Sequence, residues 1–134
     1  MKTFIRPAAF VCLYLFLGAS IATAHHAVQA QFDVNDVQSF TGTMTKVELI
    51  NPHPYFHLDV AMPDGEIVNW SIESVALNAL RRMGLIKQLQ VGLEYTVEYN
   101  PARNGTTIGL MTAITLPNGN RLLMRSQDPT VAQQ

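Results

Sequence analysis

Four histidines occupy two short segments of this 134-residue chain: His25-His26, and His53 with His57 inside Asn51-Pro52-His53-Pro54-Tyr55-Phe56-His57. Imidazole suits copper, and a histidine at a free amino terminus can chelate Cu(II) through the amine and its own ring. Cleavage after Ala24 would create that pair at His25, and a further imidazole would complete a three-nitrogen site. Cleavage after Ala22 would instead begin the chain Thr23-Ala24-His25. Amine, two deprotonated amides and the imidazole at the third position then form a square-planar site for Cu(II) or Ni(II). The competing reading of His25-His26 is a solvated pair beside a processing site.

The second pair is constrained by its prolines. Pro52 and Pro54 disfavour helix, so His53 and His57 do not share a helical face. In a straight strand four residues span about 13 Å, too far for two side chains to reach one ion through bonds of about 2 Å. The expectation is that His53 at a strand end, or His57 on an outward face, gives one nitrogen to a site completed by His25 or His26, with His53 the preferred partner. Without metal, His53 reads as a turn residue bonding backbone carbonyls. His57 reads as part of a polar face with Tyr55, Asp59, Asn69 and Glu73, which could also serve as a second shell or a pH-sensitive patch.

Other chemistry is weakly signalled. The serines at 39, 71, 74 and 126 have no nucleophile-elbow context, no glycine motif cradles phosphate, and Asp59 with Glu73 has no acid/base spacing. No catalytic residue is expected, and the chain does not read as an enzyme.

The compartment follows from the first residues. Lys2 and Arg6 form a basic n-region, residues 8–18 an apolar h-region and Ala22-Thr23-Ala24 a small-residue cleavage site. This reads as a signal peptide over 1–24. The apolar run is shorter than the roughly 20 residues a bilayer crossing needs. The expectation is an exported protein, periplasmic or secreted, with no membrane span in the mature form. The single cysteine, Cys12, would leave with the signal, so thiolate metal sites and disulfides are not expected.

Residues 25–125 are a suitable length for one small domain, with 126–134 a polar tail. Removing Lys2 and Arg6 takes the basic count from nine to seven against ten acidic residues, a formal charge of −3. That balance argues against nucleic acid, since Arg81, Arg82 and Lys87 are the only local concentration of positive charge.

These residues must be positioned by strands. Residues 39–50 are rich in Thr and Val and end at Asn51-Pro52. Residues 55–62 alternate, placing Phe56, Leu58, Val60 and Met62 on one face and Tyr55, His57, Asp59 and Ala61 on the other. Pro63-Asp64-Gly65 turns the chain into a third strand with Val68, Trp70 and Ile72 opposite Asn69, Ser71 and Glu73. Phe56 and Trp70 are expected in the core. Ser74 is expected to cap a short helix over 75–83 that Gly84 ends. Residues 93–99 alternate again, Asn100-Pro101 and Asn104-Gly105 mark a loop, and residues 106–116 lead through Pro117-Asn118-Gly119 into residues 121–124. Three strands, a helix, then two or three strands predict a mainly β, OB-like barrel of five or six strands with the helix between strands 3 and 4. The alternative is another small sandwich or roll.

The sequence resembles a group of small exported bacterial proteins of unknown function. The resemblance rests on Ala24-His25-His26 and the block from Gly42 through Val47-Glu48 to Asn51-Pro52-His53. It continues through Asn69-Trp70-Ser71-Ile72-Glu73, residues 80–84 and Leu116-Pro117-Asn118-Gly119. Leu49 departs from the aromatic residue common before the Asn-Pro-His triplet. The resemblance implies little chemistry, because the group's function is itself unknown.

The leading expectation is therefore an exported binding protein that carries or buffers copper through His25 and its amine, His26 and His53. The alternative is an accessory module whose barrel face or open strand edge binds a protein, peptide or saccharide. A metal-dependent enzyme stands third.

Overall fold

The structure, a computed structural model, describes residues 28–124. Residues 28–31 are helical and belong to a first unit, Met1–Gln31; the second unit, from Phe32 onward, is the barrel. His25 and His26, the signal segment and the tail from 125 lie outside the described residues. Among the described residues no helix is long and apolar enough to cross a membrane.

Six strands follow in chain order: β1 (Gln38–Glu48), β2 (Tyr55–Ala61), β3 (Ile67–Glu73), β4 (Glu94–Pro101), β5 (Ile108–Thr115) and β6 (Arg121–Leu123). One short helix, α1 (Leu77–Arg82), and a 3-10 turn (Ile86–Gln88) stand between β3 and β4. The sheet order is β3-β2-β1-β4-β5-β6, and a parallel β3–β5 pairing closes the first five strands on themselves. This is the OB-like barrel that the element order predicts, with β6 added beside β5.

Closure depends on β1, which serves two partners. Its first half pairs with β4, from Gln38 opposite Tyr99 to Thr43 opposite Glu94, and its second half pairs with β2. Gly42 lies where the halves meet. A Cβ there would sit 2.8 Å from the Asp59 carbonyl oxygen and 3.0 Å from Val60 Cγ2, so only glycine permits the close passage of β1 over β2.

The alternation read from the sequence becomes the core. Phe56, Leu58, Val60 and Ile72 point inward, with Met44, Tyr95, Val97, Met111 and Ile114 from the other strands. Full burial of such a side chain is worth about 1.5–3 kcal/mol, so this set supplies the main driving force for closure. Met62 falls past the end of β2 and is exposed. Trp70 is half-buried rather than fully enclosed. Its ring packs against Phe40 and Tyr99 at centroid separations of 5.5 and 5.0 Å.

Two local expectations are corrected. Ser74 does not cap the helix: Ala76 is the N-cap residue, without a side-chain bond. Ser74 is still engaged by the corner before β2, its N–H donating to the Pro54 carbonyl at 2.9 Å, and its side chain is buried. Asn100-Pro101 is not a loop but the end of β4. The Pro101 carbonyl accepts the Asp33 N–H at 2.9 Å, and the buried Asn100 donates its amide to the Asp36 carbonyl at 2.7 Å. Proline lacks a donor but keeps its acceptor, which suffices here.

The helix stop follows the sequence. Gly84 has φ +67, its N–H donates to Arg81, and the next N–H, of Leu85, reaches back to Leu80. Those two bonds form a Schellman motif, with Leu80 and Leu85 both buried beneath it.

Candidate functional site

The residues on the outward face of β1, β2 and β3 are there by register. The β2–β3 hairpin sets Tyr55 opposite Glu73, His57 opposite Ser71 and Asp59 opposite Asn69, each pair outward because its neighbours Phe56–Ile72 and Leu58–Trp70 face in. Simple alternation along β1 from the buried Met44 would aim Lys46 and Glu48 inward. A bulge between Met44 and Lys46 reverses that, turning Val47 toward the core and setting Lys46 opposite His57 and Glu48 opposite Tyr55. An extra residue that re-aims following side chains is the usual effect of a bulge.

Two histidine–carboxylate pairs result. His53 Nδ1 lies 2.5 Å from Glu73 Oε1, while the Tyr55 hydroxyl donates to Glu73 Oε2 at 3.0 Å. His57 Nε2 lies 3.2 Å from Glu48 Oε2, and its Nδ1 lies 2.9 Å from Ser71 Oγ. Lys46 Nζ pairs with the other oxygen of Glu48. Asn69 donates to Asp59 at 2.7 Å and to Thr45 Oγ1 at 3.2 Å, and the Thr45 hydroxyl donates to the His57 carbonyl at 3.1 Å.

The electrostatics follow from these contacts. Lys46 and then His57 hold the Glu48 carboxyl below the usual glutamate range, against a weaker opposing effect of burial. Burial, reinforced by the Glu73 carboxylate, pushes the Tyr55 phenol above its ordinary value. A carboxylate only accepts, so an ionised Glu48 assigns the proton of a neutral His57 ring to Nε2 and leaves Nδ1 to accept from Ser71. By the same argument His53 carries its proton on Nδ1, toward Glu73.

The two histidines of the second segment thus serve different carboxylates. His53 does not bond corner carbonyls as its turn reading has it. Those of Pro52 and Pro54 accept the N–H groups of Leu77 and Ser74, which tie the corner to the chain after β3. The His53 side chain is 43% exposed and its Nε2 has no partner among the described residues, whereas both ring nitrogens of His57 are engaged. Among the described residues no group of three or more His, Cys, Asp or Glu side chains is placed to hold a metal ion. His25 and His26 lie outside the described residues.

Sequence reasoning gave Ser71 and Glu48 no role. The pointer to Glu48 was the three-residue spacing from Met44 to Val47, which breaks the two-residue alternation and marks a bulge. For Ser71 the only signal was its outward position at matching hairpin distance from His57.

Comparison with known proteins adds a family and a fold. A family model described as a family of unknown function, DUF6152, matches residues 14–112. No curated protein matches the chain. Among solved structures, a crystal form of Rim1, the mitochondrial single-stranded DNA binding protein of S. cerevisiae, is similar at TM-score 0.50 and 16% identity, covering 63% of this chain and 97% of that one. A selenomethionine-labelled crystal of the same yeast protein gives TM-score 0.44 and 18% identity over 63% and 96% of the two chains. At these identities the likeness concerns the barrel alone.

Proposed function

We propose that this chain, which belongs to the DUF6152 family of unknown function, is an exported small binding protein that carries or buffers copper. One observation carries the reading: His53 is held through Nδ1 by Glu73 while the Nε2 of its exposed ring has no partner among the described residues. A ligating histidine commonly donates its other ring N–H to a carboxylate, which fixes ring and tautomer and makes the ligating nitrogen more basic. His53 meets that requirement, and imidazole is a good ligand for Cu(II). A separate copper-binding group, argued from the sequence alone, is the amine and imidazole that cleavage after Ala24 would give His25, with His26 next in sequence. His57 is left out of the ligand set because Glu48 and Ser71 occupy its nitrogens.

The test is native mass spectrometry on protein exported and purified without a tag, before and after one equivalent of Cu(II). A mass beginning at His25 or Thr23 that takes up copper, with His53→Ala and His25→Ala each lowering retention, is the expected result. An apo mass that refuses added copper would end the copper reading.

The second reading is an accessory module binding a saccharide, peptide or protein on the outward face of β1–β3. It is favoured by the density of hydrogen-bonding groups there, on a face where OB barrels commonly take extended ligands. Nucleic acid is not proposed: Glu48, Asp59 and Glu73 on that face outnumber Lys46 and would repel a polyanion. Copurification of a partner from chelated, copper-free protein would favour this reading.

A further inference from the structure

The chain Glu48–His57–Ser71 shares the outward face of β1–β3 with the His53–Glu73 pair but has no side chain in common with it and a different chemistry. We propose that Ser71 is a nucleophile activated by His57, with Glu48 as the positioning residue, toward small activated carboxylic esters approaching from solvent. The three residues come from three neighbouring strands. Ser71 Oγ is 2.9 Å from His57 Nδ1, and His57 Nε2 is 3.2 Å from Glu48 Oε2. Nucleophile, base and orienting carboxylate within hydrogen-bond reach are the geometric signature of an activated hydroxyl. The His57 side chain is 20% exposed and Ser71 is half-buried on the outward face, so a small reagent can reach both.

In the first step the Ser71 proton passes to His57 Nδ1 as Oγ bonds to the ester carbonyl carbon. The carbon–oxygen bond to the leaving group then breaks, and the departing oxygen takes the electron pair and the proton from His57. Water hydrolyses the acyl-serine, releasing the carboxylic acid and restoring Ser71. The substrate class follows from what stands nearby. The Asn69 amide is spent on Asp59 and Thr45, and the Ser71 N–H on the Thr107 carbonyl, so these groups do not meet a developing oxyanion. Only esters whose leaving group departs without such help, aryl esters above all, fit the site.

The experiment is acetylation of the full processed chain by p-nitrophenyl acetate in the presence of a chelator, read by nitrophenolate release and by peptide mass mapping. Acetyl is expected on Ser71 and not on Ser39, an exposed serine of β1 without such a base. His57→Ala is expected to slow release about 100-fold, the lower end of general-base effects. Glu48→Gln should slow it less and Glu48→Asp restore part of the rate, a rescue that a purely structural carboxylate would not give. Ser71→Ala, with circular dichroism establishing its fold, should abolish the label. Equal labelling of Ser39 and Ser71, or a rate unchanged in His57→Ala, would overturn the proposal.

Discussion

Glu73 binds His53 with one carboxylate oxygen and Tyr55 with the other, at 2.5 and 3.0 Å, and only 14% of its side chain is exposed. A residue that reads in sequence as one member of a polar face is therefore the anchor that joins the Asn51–Pro54 corner to β3. In the copper reading it orients the ring without touching the ion.

Glu73→Gln is accordingly expected to weaken Cu(II) binding by about 10–100-fold while His53 remains in place, the usual cost of losing an outer-shell partner. Competition titration against a chromogenic chelator measures it. An unchanged affinity would separate His53 from any metal role.

Tyr55→Phe removes the hydroxyl on Glu73 Oε2 and should cost about 0.5–1.5 kcal/mol in urea denaturation. The raised phenol also gives a sign. A group whose folded pKa lies above its unfolded value contributes stability that is present below the unfolded pKa and lost as pH rises through the folded one. The wild type should therefore lose stability relative to Tyr55→Phe as pH climbs past the ordinary tyrosine range.

Glu48 acts at the acid end with the opposite sign. Its folded pKa is lowered by Lys46 and His57, so its contribution is present above the unfolded glutamate value and disappears as pH falls through the folded one. The difference in Tm between wild type and Glu48→Gln should be steady near neutral pH and shrink in acid. A difference independent of pH would exclude ionised Glu48 as the source.

Gly42→Ala tests closure of the barrel. Its new methyl meets the Asp59 carbonyl at 2.8 Å, and neither the β1–β2 ladder nor the β1–β4 ladder can yield cheaply, so a loss of about 1–3 kcal/mol is expected. Gly109→Ala meets the Tyr99 ring at 2.5 Å and Ile72 Cδ1 at 3.0 Å. It should also destabilise and disturb the packing of Trp70 on Tyr99, visible in tryptophan fluorescence.

By itself the sequence determined what depends on local pattern. The two-residue alternation of residues 55–61 and 67–73 set which side chains face the core, Pro63-Asp64-Gly65 set the hairpin, and Gly84 set the end of α1. The order of elements was enough for the barrel, because few closed arrangements fit three strands, a helix and further strands. What only the tertiary structure decided depends on register between distant segments. The β1 bulge turned Glu48 outward to His57, and the β2–β3 pairing put Ser71 on its other nitrogen. The path of the chain after β3 displaced the expected Ser74 cap, and the Pro101 carbonyl kept β4 running through a segment that reads as loop. A shift of one residue in strand pairing exchanges the inward and outward faces. Residue types therefore announced an outward polar face, but its hydrogen-bonded partners were fixed only when the strands closed.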